Sequence, residues 1–390
     1  MFMQFFSSLL RIIIVSAIIV FPAVSSIAQK KTQPDSLSSN TSASKQKEHI
    51  VLIGNKIHKL PQGLPFAAFS KGGEKEKALD NFIREQKVAG LIILQDGKVR
   101  LERYALGHSR SNRWSSLSVA KSVTSTLVGV AIKDGYIKTV DDYVTNYIPD
   151  LKGSVYDKVT IRHLITMTTG IKWNENYTDP DADIAKFATD PIEPGINATV
   201  SYMRRLPAEA EPGKKWTYST GQTNLLGVLI SSATHQTLSQ YLSEKIWKPY
   251  GMEQEATWTP DRTGQEMAGC CLQMPLRDFA RFGQFVIEDG RINGESIVPD
   301  NWFKTATQIQ VPLWPGGGYG YGWWIFDNKS FDALGIYGQR IHIDPSRKLV
   351  IAVNSAWPEA DSNARQFAFT NFIASINNEI DKEEKDVETN

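Results

Sequence analysis

Apolar and polar positions along the chain mark out an antiparallel sheet drawn from both ends of one globular unit. A helical stretch around Glu74 to Gln86 leads into the apolar run Ala89 to Leu94. A turn at Asp96-Gly97 follows, then Lys98 to Tyr104 with alternating character, so a helix and a β-hairpin are predicted. Ser118 to Lys133 carries Val123, Leu127, Val128, Val130, Ala131 and Ile132, apolar on nearly all sides, which predicts a buried central helix. From Lys138 to Gln236, helical patterns alternate with loops rich in Pro, Asp and Asn and hold few β-branched runs. Strand patterns return after Gly320, at Gly322 to Phe326, Ala333 to Gly335, Arg340 to Ile343 and Lys348 to Val353, with turns at Asp327-Asn328 and Asp344-Pro345-Ser346. A last helix is expected over about Asn363 to Asn377. The pattern predicts an α+β fold, an antiparallel β-sheet flanked by helices with an inserted, mainly helical subdomain. Residues 51–137 and 237–380 would form the sheet domain, and residues 138–236 the insertion.

The two ends read differently. Arg11, the run Ile12 to Val20, Phe21-Pro22 and then Ser26-Ile27-Ala28 have the order of a signal peptide cleaved after Ala28, since the apolar run is shorter than the roughly 20 residues a membrane span needs. An exported protein with no stable membrane span after cleavage is expected, periplasmic or secreted. Residues 29–50 read as a solvated linker and residues 381–390 as a disordered, charged tail. With 43 basic and 42 acidic residues the formal charge is +1, so no global field draws nucleic acid or anionic membranes. The two cysteines, Cys270 and Cys271, are adjacent; ordinary disulfides need a wider Cα separation than one peptide bond allows, so packing residues are expected there.

No Gly-x-Ser-x-Gly elbow, His-Glu-x-x-His, Cys/His cluster or Gly-rich phosphate loop is present, so neither a metal nor an organic cofactor is implied. The six histidines stand alone; His163 and His342 read as structural. Ser118-Val119-Ala120-Lys121 opens the apolar helix instead. Residues three apart share a helix face, so the amine can reach the hydroxyl. The helix N-terminus adds unpaired N–H groups and positive potential where an oxyanion forms. Ser118 is thus a candidate nucleophile and Lys121 a candidate base. Taking a Lys from its usual pKa to near neutrality requires roughly 4 kcal/mol of destabilisation of the ammonium, which burial can provide. The same spacing recurs at Ser42-Ala43-Ser44-Lys45 and Ser44-Lys45-Gln46-Lys47 in the linker, so the structural context distinguishes Ser118.

The stretch from Trp114 to Ser125 resembles the first motif of class C β-lactamases, and more closely that of their esterase and 6-aminohexanoate-dimer hydrolase relatives in the β-lactamase/DD-peptidase-like superfamily. Val159 to Ile171, Glu211 to Thr220, Arg277 to Gly283 and Tyr319 to Trp324 are similar to further blocks of that family, in the same order. The resemblance implies a catalytic role for Tyr218, a substrate-binding role for Thr220, where the family usually carries Asn or Ser, and a third motif at Ile336-Tyr337-Gly338. By the same resemblance the backbone N–H groups of Ser118 and Gln339 would form an oxyanion hole, with Tyr337 and Gly338 beside the substrate. Position 336 lacks the family's Lys or His, which weakens the case for a β-lactam or peptide carboxylate. Trp173, Tyr177 and Asp181, in a loop rich in aromatics and acids, are candidate contacts for an amine-bearing substrate.

The expected function is serine hydrolysis of a small-molecule amide or ester through an acyl-enzyme intermediate. The alternatives are β-lactamase or D-amino acid peptidase activity, or a non-catalytic module that binds cell-wall fragments. Pattern alone leaves the acyl group and the oligomeric state open.

Overall fold

The computed structural model describes residues 47–326 and 330–388. The signal peptide, most of the linker and the turn expected at Asp327-Asn328 lie outside the described residues. Eight antiparallel strands form the main sheet, in the order Lys98–Tyr104, Val88–Gln95, Leu349–Ser355, Gln339–Asp344, Phe331–Gly335, Trp324–Ile325, Gly317–Tyr319 and Val311–Trp314. Strands from the early and late parts of the chain pair as the sheet's second and third members, where Ile93 lies opposite Ile351 and Leu91 opposite Val353. These strands are nearly continuous apolar runs because both faces are covered and successive side chains point to opposite faces. Ile92 and Leu94 enter one core, Leu91 and Ile93 the other.

The first core lies between the sheet and the helices Ala120–Lys133, Thr220–Thr234 and Leu276–Ile287. The second is closed by helix Glu76–Glu85 and the C-terminal helix, through Leu79, Phe369, Phe372 and Ile376. Helix Ala120–Lys133 is buried from Ala120 through Ala131, which explains its apolar and small side chains. Its hydroxyls are spent on neighbouring backbone: Ser122 donates to the Gly322 carbonyl (2.6 Å), Ser125 to that of Tyr321 (2.6 Å) and Thr124 to that of Ala268 (2.8 Å). His342 pairs through Nδ1 with Asp332 at 2.6 Å inside the sheet, and His163 caps its own helix by accepting the Thr160 N–H at 3.1 Å. Among the described residues no helix is long and apolar enough to cross a membrane.

Four expectations are corrected. The first strand, His49–Val51, begins inside the stretch read as linker and pairs with Ala256–Trp258, the contact that orders it. The last helix runs from Asn363 to Glu388 rather than ending near Asn377, because Asp381 and Glu383 pair with Arg347 (2.5 Å) and Arg100 (2.6 Å) at the sheet. The Gly- and Pro-rich segment before Gly320 supplies the last two strands of the sheet, with Pro312 on the edge strand Val311–Trp314, where a missing N–H is tolerated, and Gly317–Tyr319 paired inside it. Cys270 and Cys271 are half-buried and bonded to each other across a peptide with Cα atoms 3.8 Å apart, Cys271 taking a left-handed φ of +67°.

Candidate active site

Ser118 lies in a single 3-10 turn, Leu117–Val119, that runs straight into helix Ala120–Lys133. Leu117 has φ +44°, a strained left-handed conformation that persists only where surroundings impose it. Two neighbours do so. The Ser116 N–H donates to the Leu272 carbonyl at 2.8 Å, and Gly335 packs so closely that a Cβ there would stand 2.7 Å from the Ser116 carbonyl oxygen.

Lys121 is 2% exposed. Its Nζ donates to Ser118 Oγ at 2.9 Å, Thr220 Oγ1 at 3.0 Å and the Gly269 carbonyl at 2.8 Å. The carbonyl of Gly269 is aimed by the Thr124 bond to Ala268 and by the Gly269 N–H donating to Asn224 Oδ1 at 2.8 Å. Burial lowers the Lys121 pKa to about 8, with the Glu175 carboxylate pulling the other way. The Tyr218 ring lies across the amine, its centroid 5.0 Å from Nζ. Burial drives the Tyr218 phenol well above its ordinary value, a hydrogen bond with Ser118 opposing and the Glu175 charge reinforcing the rise. Thr220 opens helix Thr220–Thr234, whose cap Ser219 accepts the Gln222 N–H at 3.2 Å. Ser118, Lys121, Tyr218 and Thr220 therefore converge, from two helix starts that the sequence places far apart.

The remaining sequence-derived candidates separate. Trp173 is buried, edge-on to Phe187 and Tyr202, and its Nε1 donates to Glu175. Tyr177 donates its hydroxyl to Glu175 Oε1 at 2.7 Å. Asp181 is not brought to the site: its side chain is 84% exposed and pairs with Lys186 at 3.1 Å on helix Asp183–Thr189. Tyr337, with φ +59°, packs against the second core, on the sheet face opposite the Ser118 helix. Gly338 has φ +88°, and a Cβ there would stand 2.5 Å from Trp357, so Trp357 rather than a ligand's approach demands the glycine. Gln339 spends its side chain inside the protein: Oε1 accepts from Trp114 Nε1 (2.8 Å) and the Ser355 N–H (3.1 Å), and Nε2 donates to the Ser355 carbonyl (2.8 Å). Its side chain is therefore committed within the protein.

Two features escaped sequence reasoning. Glu175 accepts from the Thr220 N–H at 3.0 Å and from the Thr220 hydroxyl, besides Trp173 and Tyr177. An aromatic wall also extends from Tyr218: Trp324 lies 5.6 Å away between centroids, and Trp314 stacks on Trp324 at 6.4 Å. Trp216 and Tyr319 pack against both Tyr218 and Trp324 in the same cluster. Among the described residues no group of three or more His, Cys, Asp or Glu side chains could hold a metal ion.

A Ser and a Lys one turn apart at the start of a buried helix, beside an antiparallel sheet closed by terminal helices, define the fold shared by serine β-lactamases and penicillin-binding proteins. The chain matches the family model described as Beta-lactamase over residues 76–371 and belongs to that family. It is 27% identical over 306 residues to a 6-aminohexanoate-dimer hydrolase of Paenarthrobacter ureafaciens, covering 73% of this chain and 76% of the relative. A solved structure from Bacillus anthracis, assigned as a 6-aminohexanoate-dimer hydrolase, superposes with TM-score 0.75 at 26% identity, covering 86% of this chain and 92% of that one. The octameric penicillin-binding protein homologue of Pyrococcus abyssi shares the fold at TM-score 0.58 and 22% identity, over 74% of each chain. The protein is a β-lactamase-fold hydrolase related to 6-aminohexanoate-dimer hydrolases and DD-peptidase-like proteins.

Proposed function

We propose that the protein hydrolyses a small amide or ester through an acyl-enzyme formed on Ser118. The observation that carries this reading is the 2.9 Å bond between Ser118 Oγ and the Lys121 amine, whose burial lowers its pKa to about 8 so that a substantial neutral fraction exists near that pH. Ser118 Oγ attacks the substrate carbonyl carbon while its proton passes to Lys121 Nζ. The oxyanion so formed takes the backbone N–H groups of Ser118 and Gln339. Tyr218 relays the proton from Lys121 to the departing amine or alcohol, and water then releases the acid and restores Ser118. Thr220 holds the amine in line.

The aromatic wall of Trp324 and Trp314 supports an uncharged, chain-like acyl or amine segment rather than an anionic one. Ile at position 336, in place of a cation, agrees with that preference and argues against efficient recognition of β-lactam or peptide carboxylates. 6-Aminohexanoate dimer, on which one relative acts by its name, is a linear amide. The leader-like N-terminus and the Cys270–Cys271 bond support an exported protein in an oxidising compartment. Ser118→Ala is expected to lose both turnover and covalent labelling by a fluorophosphonate. Labelling that survives in the variant refutes the assignment. Nitrophenyl esters, nitrocefin, D-amino acid amides and 6-aminohexanoate dimer, tested side by side, assign the substrate class.

A further inference from the structure

In enzymes that activate a hydroxyl with a base, the base is itself oriented by a third group, which also steadies the positive charge formed when the proton arrives. Lys121 has such a group within one hydroxyl of it. Nζ donates to Thr220 Oγ1 at 3.0 Å, and Thr220 Oγ1 donates in turn to Glu175 Oε1. The direction of this chain is fixed chemically. A carboxylate only accepts, so the Thr220 proton points to Glu175 and the oxygen's lone pair faces the amine. Glu175 cannot drift from this position, because the Thr220 N–H (3.0 Å), the Trp173 indole N–H and the Tyr177 hydroxyl (2.7 Å) grip the same carboxylate. Trp173, read from sequence as a substrate contact, is thus a clamp on this acid.

We propose that Glu175 is a positioning residue for Lys121, acting through the Thr220 hydroxyl to orient the amine and to stabilise the ammonium formed when it takes the Ser118 proton. The proposal rests on the hydrolase reading given above. In the step concerned, the Ser118 O–H bond breaks as the serine oxygen bonds to the substrate carbon, and the proton forms a third N–H bond on Lys121. The carboxylate keeps its charge throughout and gains a cation two hydrogen bonds away. The other titratable groups around the amine are phenols. Tyr218 lies over it, Tyr177 bonds Glu175, and Tyr319 packs against Tyr218. Burial raises all three phenols above their ordinary range, so they are neutral where the enzyme works. Glu175 is therefore the charge that Lys121 titrates against.

The test is the pH dependence of kcat/KM for a nitrophenyl ester. In Glu175→Gln, nearly isosteric, the acid limb moves to lower pH by about one unit, since the ammonium has lost its counter-charge. The plateau falls about tenfold because the amine is a weaker base. Thr220→Val, which breaks the relay without touching the acid, moves the limb in the same direction, and Thr220→Ser keeps it at the wild-type position. An acid limb unmoved in Glu175→Gln, whatever the plateau does, overturns the proposal, because an acid that merely braced the loop would lower the rate alone. A second measurement needs no turnover: carbon-13 lysine NMR of Ser118→Ala, with and without Glu175→Gln, follows the Lys121 titration directly. Coincident titrations in the two proteins overturn the proposal equally. Wild-type protein whose Ser118 takes no fluorophosphonate label refutes the hydrolase reading instead, and leaves the NMR comparison standing.

Discussion

Replacing Lys121 with Met removes an amine that the fold holds against its preference for water. Its pKa of about 8 lies below the value of 10.5 for a free lysine. The sign follows from proton counting. Between these two pH values the unfolded chain holds the proton and the folded chain does not, so wild-type stability rises with pH across that window. Below pH 8 the folded protein carries a charged, buried ammonium and bears the full penalty, about 3 kcal/mol for a gap of this size. Lys121→Met lacks the titration, so its stability relative to wild type is greatest near pH 7 and shrinks as the pH approaches 10. Every other group titrates in both proteins and cancels. Urea unfolding at pH 7 and pH 10, with m-values checked for constancy, is expected to give a stability difference that falls by about 2 to 3 kcal/mol between the two conditions. The variant is also expected to have no measurable turnover, the trade between stability and activity that buried catalytic groups impose. A stability difference equal at the two pH values would refute the reasoning, because the amine would then be titrating like an exposed lysine.

Two further outcomes test the walls of the site. Gly338→Ala forces a side chain onto a residue at φ +88° and drives its Cβ to 2.5 Å from Trp357, so thermal unfolding is expected to show a loss of about 3 kcal/mol or more; a variant as stable as wild type contradicts the assigned packing. Trp324→Ala opens the wall between Tyr218 and Trp314, and kcat/KM for a hexanoyl ester is expected to fall about tenfold relative to an acetyl ester; equal losses on both esters remove the wall from substrate selection.

What was legible in the sequence was local. Ser118, in the 3-10 turn, and Lys121, in the helix it runs into, lie on one helical stretch, and a spacing of three is sufficient to bring them together once the apolar context marks that stretch as buried. The sheet was legible for a similar reason, since runs such as Ala89 to Leu94 and Lys348 to Val353 have few other ways to hide. Glu175 was not, because it reaches Thr220 from 45 positions earlier in the chain, and no periodicity links a loop acid to a distant helix start. Its neighbour in the same loop, Asp181, has the same chemistry but faces solvent and Lys186; composition cannot separate the two. The C-terminal residues misled in the opposite way. A charged stretch reads as a solvated tail, yet Asp381 and Glu383 find Arg347, in a turn between two strands, and Arg100, on a strand, and the helix continues to Glu388. The adjacent cysteines showed a third limit, since a left-handed Cys271 is a property of the loop it closes.

The pairing of Val88–Gln95 with Leu349–Ser355 has a consequence for the life of the chain before it is finished. A ribosome delivers the first of these strands some 250 residues before the second, and until then the hairpin that begins with Ala89 has one apolar edge with nothing to join. The sheet cannot close, and Gly335 cannot come to rest beside Ser116, until synthesis is nearly over. Contacts so distant in sequence make for slow folding and a prolonged risk of sticking to other nascent chains. The completed pocket is consequently a late product of folding, and a chain cut short before its last strand holds Ser118 and Lys121 on one helix without the sheet that gives them a site.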